Sequence, residues 1–252
     1  MRPLPRDFFA RDTLAVARDL LGAVLAHDTP DGRAAGRIVE VEAYVGEEDA
    51  ACHAAAGLTA RTGPLYGPPG HAYVYFVYGM HWCFNAVTRP EGLPSAVLVR
   101  ALEPLEGLPL MRRRRGGRPD RELANGPGKL ASALGIGPAQ NRADLTQGPL
   151  TIREGECVPE RVVGRGPRVG IRLAADLPYR LWIEGDPHVS RGPVAMPPRR
   201  QRARSAGPAD GIDADTADSD TAPSGAGTDA GPRGPGPRSR RSRAGSGAAA
   251  RT

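Results

Sequence analysis

GRIVEVEAYVGEEDAACH, residues 36–53, is the stretch on which the fold turns. The two-residue period of a strand puts Ile38, Glu40, Glu42 and Tyr44 on one face and Val39, Val41, Ala43 and Val45 on the other. Taken alone, an apolar face backed by a face of acids reads as a half-exposed antiparallel strand with a solvated polar side.

Outward from this strand, the chain alternates turns with short β-prone and helical runs. RDTLAVARDLLG carries apolar residues at helical spacing, with Asp12 as N-cap and Gly22 as stop, and predicts a helix over Thr13–Leu21. AVLAHDTPDGRAAGRIVEVEAY reads as strand, Pro-Asp-Gly turn, strand. HAYVYFVYGMHWCFNAVT contains two β-prone runs that a type II′ turn at Gly79–Met80 would pair, which places Tyr78 at a protruding hairpin tip. SAVLVRALEP predicts a buried strand, with helical patterns following over Pro104–Arg114 and Pro127–Leu134. Short strands are expected near GPLTIRE, PRVGIRL and YRLWIEG. Together these elements predict a mixed α/β (α+β) domain with a curved, largely antiparallel sheet flanked by helices.

Apolar periodicity stops near Val189. From Arg199 to Thr252 there are ten Arg, six Asp and, among Phe, Tyr, Trp, Ile and Leu, only Ile212, a composition that cannot bury a core. The expected organisation is a domain over residues 1–195 and a disordered tail over 196–252. The formal charge is +6, of which the tail's ten Arg minus six Asp supply +4, so basicity in the folded part is local. Its densest run is Arg112–Arg115 with Arg118 and Arg121, which fits either a solvated helix face or a phosphate-facing patch.

Cys52, Cys83 and Cys157 form neither a paired zinc spacing nor a disulfide framework, which fits a reducing compartment. The N-terminus lacks the apolar core of a signal peptide and no run reaches membrane-span length, so a cytoplasmic protein is expected. NGPGKL fails as a phosphate loop because Leu123 and Leu130 stand where Gly and Ser or Thr are needed. GRGPRVG misses the dinucleotide-binding spacing and reads as a Gly-rich turn before a strand.

The chemistry concentrates between Glu40 and Arg100: Glu42, Tyr44, His53, Tyr73, Tyr75, Tyr78, His81, Trp82, Asn85 and Arg100, in a chain of only 5% aromatic content. Core packing accounts for Tyr73, Tyr75 and Trp82 individually, but a large ring at a turn gains little from burial. Aromatic platforms with a carboxylate, an arginine and an amide are what a pocket for an extruded nucleobase needs.

RIVEVEAYVGEEDAACH, PPGHAYVYFVYGMHWCFN, VLVRALEPLEG and ELANGPGKLASALGI closely resemble the alkyladenine type of 3-methyladenine DNA glycosylase, the methylpurine DNA glycosylases, from about Pro5 to Val189. The resemblance implies a base excision repair enzyme acting on duplex DNA with damaged purines: 3-methyladenine, 7-methylguanine, and also hypoxanthine or ethenoadenine. It implies that Glu42, not Glu40, activates the attacking water, and that Arg100 holds the water and the carboxylate. Tyr44 and His53, with Tyr75 opposite, match the rings that sandwich the flipped base. Tyr78 matches the side chain wedged into the minor groove, and Asn85 the amide that crowds the exocyclic amine of normal guanine. Lys129, Arg112 and Arg113 are the expected backbone contacts. No cofactor or metal is expected, and the working unit is expected to be a monomer in the cytoplasm, on nucleoid DNA.

An alkylated, cationic purine stacks well on electron-rich rings and leaves without a protonating acid, so one carboxylate suffices, and it also steadies an oxocarbenium-like transition state. Lys129 is the sole lysine and lies in a Gly-Pro loop away from the acidic strand, which argues for a monofunctional glycosylase over a Schiff-base lyase. Glu40→Gln is expected to be far milder than Glu42→Gln. Thr62 departs from the family pattern, where Asn commonly follows the Arg.

Two rivals use the same residues. A metal-dependent nuclease would take Glu40, Glu42, Glu47, Glu48 and Asp49 as hard oxygen ligands, although acids at 47–49 also suit a helix start. A non-enzymatic binder of distorted duplex would use the hairpin tip and the arginines, but has no use for Glu42.

Overall fold

The centre of the sheet is the 14-residue strand Gly32–Val45 (β2), which pairs with neighbours on both edges along its length. In the computed structural model, which describes residues 1–192, the other strands are β1 (Val24–Thr29), β3 (Ala72–Val77), β4 (His81–Thr88), β5 (Ser95–Glu106), β6 (Leu150–Arg153), β7 (Val163–Gly166) and β8 (Arg180–Ile183). They form one sheet in the order β3-β4-β5-β2-β1-β6, with β8 pairing both the far half of β2 and β7. Every one of these pairings is antiparallel.

Five short helices accompany the sheet: α1 (Arg6–Phe9), α2 (Thr13–Leu20), α3 (Leu108–Arg114), α4 (Asp120–Leu123) and α5 (Pro127–Leu134). The Asp12 side chain caps α2 as expected, accepting from the N–H groups of Leu14 and Ala15. Helix α2 buries Thr13, Val16, Ala17 and Leu20, one face at helical spacing, and α5 buries Leu130, Ala131, Ala133 and Leu134. These meet Ile38, Val39, Val41, Phe84, Val97, Val99 and Leu102 of the sheet in the main core. Among the described residues no helix is long and apolar enough to cross a membrane.

Several sequence expectations are corrected. Pro104–Glu106 continue β5 rather than opening the helix, because Gly36 and Ala35 of β2 still pair there and α3 starts only after Gly107 turns at φ +76°. PRVGIRL forms no strand; pairing ends at Gly166 with β7, and the chain from Pro167 to Tyr179 is irregular. The hairpin turn is centred on Tyr78 and Gly79, not Gly79 and Met80. Both have positive φ, +53° and +65°, and Met80 N–H donates to Val77 O at 3.1 Å, the signs of a type I′ turn. The boundary at 195/196 and the tail over 196–252 lie outside the described residues.

The half-exposed reading of β2 also fails. Ile38 through Ala43 are all buried, Glu40 and Glu42 at 0% exposure. Two register shifts flank Glu40: Val39 is skipped between Ile38–Leu102 and Glu40–Ala101, and Arg100 between Glu40–Ala101 and Val41–Val99, which leaves Arg100 outside the ladder opposite the acids. Such a bulge re-aims a side chain, here a guanidinium toward two carboxylates.

His27 on β1 is buried, and its Nδ1–H donates to Leu134 O at 2.8 Å. Burial, with a smaller contribution from Arg114, holds its pKa below the ordinary histidine value against the Leu134 bond. The unfolded chain therefore takes up this proton at about pH 6.5 and the folded chain only at lower pH, so His27 withdraws stability as pH falls below about 6.5. The drop in urea midpoint between pH 7.5 and 5.5 is expected to be smaller in His27→Asn than in the wild type; equal drops would refute this assignment.

Candidate active site

The cavity beside the hairpin has a volume of about 590 Å³, within the usual range for a ligand site. Its sheet wall follows strand alternation: Tyr73, Tyr75 and Val77 from β3, His81, Cys83 and Asn85 from β4, Ala96, Leu98 and Arg100 from β5, and Tyr44 from β2. Cys52 and His53 close one side, Val169 to Ile171 another, and the first turn of α5 with Lys129 and Arg115 a third. Helix α5 approaches closely because residue 128 is Gly; a Cβ there would stand 2.8 Å from the Cβ of His81.

Glu42 does not reach the cavity surface. It lies behind the wall made by Tyr44, Arg100 and Val169, fully buried, with Oε1 accepting from Val169 N–H at 2.6 Å and Oε2 from the Tyr44 hydroxyl at 2.9 Å. Arg100 bridges the two acids, with Nη1 3.1 Å from Glu42 Oε1 and Nε 2.9 Å from Glu40 Oε1. Burial opposes the Arg100 charge, but Glu42 and Glu40 outweigh it and hold the pKa above the ordinary arginine value. Burial and the Glu42 carboxylate push the Tyr44 hydroxyl far up, so it stays a donor.

Glu40 is a hub, not a spare acid. It accepts from Arg100 Nε, Arg180 Nε (2.7 Å), Ser190 N–H (2.7 Å) and the Ser190 hydroxyl (2.9 Å). Glu40→Gln therefore disturbs a buried network, and the expectation of a mild change does not extend to stability. The acids of the nuclease reading do not converge: Glu40 and Glu42 face arginines, Asp49 pairs with Arg168, Glu47 accepts from the Tyr66 hydroxyl, and Glu48 lies near Arg89. Among the described residues no group of three or more potential ligands is arranged to hold a metal ion.

The rings form one cluster. His53 meets Tyr75 edge to face at 4.5 Å between centroids, and its Nδ1 lies 2.8 Å from the Tyr73 hydroxyl. His53 and Tyr75 are thus in contact, not parted by the thickness of a base. Burial, then the Arg61 charge, lowers the His53 pKa, which keeps the ring neutral at neutral pH. Burial and Cys83 raise that of Tyr75, and burial pushes the Cys52 thiol up to about 11. Asn85 Nδ2 donates to Tyr73 O at 3.0 Å, which orients the amide toward the cavity. Trp82 faces away and packs on Phe76.

Tyr78 stands at the mouth, 77% exposed, its hydroxyl 4.0 Å from where a Cβ on Gly170 would lie. A tyrosine at positive φ is strained by about 1–3 kcal/mol, and such strain collects at functional positions.

Lys129, expected away from the acidic strand, lines the cavity from α5, with Nζ donating to Asn125 Oδ1 at 2.8 Å. Arg112 and Arg113 are outside the cavity; Arg112 is held by Asp120 through two 2.7 Å bonds and Arg113 is exposed. Sequence reasoning did not place Val169 or Arg168 at the site and read Arg115 only as part of a basic run. Thr62 closes its own loop, its hydroxyl donating to Gly57 O at 2.8 Å and accepting from Thr59 N–H at 2.7 Å.

Comparison with known proteins identifies the family. The sequence model described as Methylpurine-DNA glycosylase (MPG) matches residues 7–187. A protein of Myxococcus xanthus named "Putative 3-methyladenine DNA glycosylase" is 52% identical over 205 residues, 80% of this chain and 99% of its own. Relatives of the same name are 50% identical in Streptomyces avermitilis, over 79% of this chain and 96% of theirs, and 42% in Chlorobaculum tepidum, over 80% and 97%. The match spans the sheet, the aromatic cavity and the Glu42–Arg100 pair alike, and the chain belongs to the methylpurine-DNA glycosylase family, DNA glycosylases that hydrolyse N-glycosyl bonds.

Proposed function

We propose that the cavity receives a damaged purine turned out of duplex DNA, and that Glu42 activates the water that breaks its N-glycosidic bond. The observation that carries this reading is the buried Glu42 carboxylate fixed by Val169, Tyr44 and Arg100 directly behind the wall of an aromatic cavity. A carboxylate has about four acceptor sites, and the hydrogen bonds from Val169 and Tyr44 take two while Arg100 pairs with one oxygen, which leaves capacity for a water. Cationic 3-methyladenine and 7-methylguanine suit the neutral, electron-rich rings of Tyr44, His53 and Tyr75, and hypoxanthine and ethenoadenine are the neutral candidates. The base enters between His53 and Tyr75 only if one ring turns. Asn85 crowds the amine of normal guanine, and Lys129 meets the DNA backbone together with Arg112 and Arg113. The groups named here suffice within one chain, and the enzyme works as a monomer on nucleoid DNA in the cytoplasm.

Duplexes carrying one defined lesion test this. Base release is expected, with strand breakage only after alkali, the mark of a monofunctional enzyme. Tyr78→Ala is expected to reduce release from well-paired lesions more than from mispaired ones, since a wedge replaces the few kcal/mol lost on flipping and mispaired bases need less of it. Equal losses would count against a wedge; breakage without alkali would overturn the monofunctional assignment.

A further inference from the structure

The Arg168 side chain is as fully buried as those of Glu40 and Glu42, at 0% exposure, and no step described above uses it. It pairs with Asp49, 119 residues away, through both Nη atoms, Nη2 donating to Oδ1 at 2.8 Å. Its guanidinium lies 4.7 Å from the Tyr44 ring centroid and 5.3 Å from that of Tyr179. Nη1 also donates to Ala43 O at 2.9 Å, the carbonyl between Glu42 and Tyr44. The next residue, Val169, supplies the N–H to Glu42. Asp49 in turn accepts from the N–H groups of Val45 and Ala51, both at 3.1 Å, just before Cys52 and His53. Among the described residues the Arg168 Nε is buried without a partner, so this placement forgoes one donor to keep the plane against Tyr44.

We propose that Arg168, locked by Asp49, is a positioning residue for base excision: it fixes the two donors, the Tyr44 hydroxyl and the Val169 N–H, that aim the Glu42 carboxylate. The proposal rests on the assignment of Glu42 as the water-activating group. A planar guanidinium can stack, bridge a carboxylate and reach a carbonyl together; an ammonium cannot.

Arg168→Lys and Asp49→Asn, each alone and combined with Glu42→Gln, separate positioning from simple support. Single-turnover base release at saturating enzyme, lesion-duplex affinity and thermal midpoint are measured for each. Release is expected to fall about 10- to 100-fold in the single variants, the usual effect of a small misplacement, with affinity little changed. In the Glu42→Gln background the same substitutions are expected to change release by less than about 2-fold, because misaiming a group already removed has no effect. If Arg168→Lys does not fold, Asp49→Asn, which keeps the size and, through its one oxygen, two of the four accepted hydrogen bonds, carries the test. Equal fold-losses in both backgrounds, or full release by the folded single variants, overturns positioning while leaving Glu42 in place. Wild-type release by Glu42→Gln itself overturns the Glu42 assignment, and the positioning role falls with it.

Discussion

Glu42→Gln is expected to lower single-turnover release of 7-methylguanine by about 10²- to 10⁴-fold, the range spanned by a positioned general base. The substitution is nearly isosteric. The amide oxygen can still accept from Val169 N–H, and Arg100 keeps its partner Glu40, so no buried charge is stranded. Folding and binding of lesion-containing duplex are therefore expected to persist while chemistry stops. This outcome also separates the enzyme from a pure binder of distorted DNA, in which Glu42→Gln would change little. Release within about 3-fold of wild type would fall far below what a general base contributes, and would remove Glu42 from that role.

Arg100→Met is expected to destabilise the fold by about 3–5 kcal/mol, the cost of breaking a buried ion pair from one side. Arg100 is the shared cation of Glu40 and Glu42, both fully buried, and a methionine fills its volume without replacing its charge. Glu40 retains Arg180 and Ser190, but Glu42 loses the one cation that lies within ion-pair distance of it among the described residues. Urea denaturation of Arg100→Met and of Arg100→Met/Glu42→Gln checks this. The double variant is expected to be less damaged than the sum of its single changes, because the second removes a charge the first stranded. A midpoint for Arg100→Met equal to that of the wild type would show that the carboxylates do not depend on this guanidinium.

Much of the molecule was legible in the chain. Asp12 and Gly22 marked α2 because capping and helix termination are local chemistry, and Pro127–Leu134 was set by its own apolar spacing. The cavity face of the hairpin followed from strand alternation, which is why Tyr73, Tyr75, Cys83 and Asn85 share a wall. The likeness over residues 5–189 to one family also rested on the sequence, and the family match over residues 7–187 agrees with it. The environment of each group was not legible. Whether the acids of β2 face water or core depends on β5, β8 and the segment around Ser190, distant in sequence, and burial turns a solvated face into a charge network. The bulge that aims Arg100 is a mismatch between two strands and exists in neither alone. The tip of the hairpin moved by one residue because a turn is chosen by the register of the strands it joins, here Val77 against His81, as well as by its glycine. The pairing of Arg168 with Asp49 across 119 residues has no local signature at all. The sequence by itself determined most of the elements, the polar and aromatic side chains that gather at the cavity and the family; the tertiary structure decided how each buried acid is held, Glu42 by Tyr44, Val169 and Arg100 and Glu40 by Arg100, Arg180 and Ser190, because those donors are brought from remote parts of the chain.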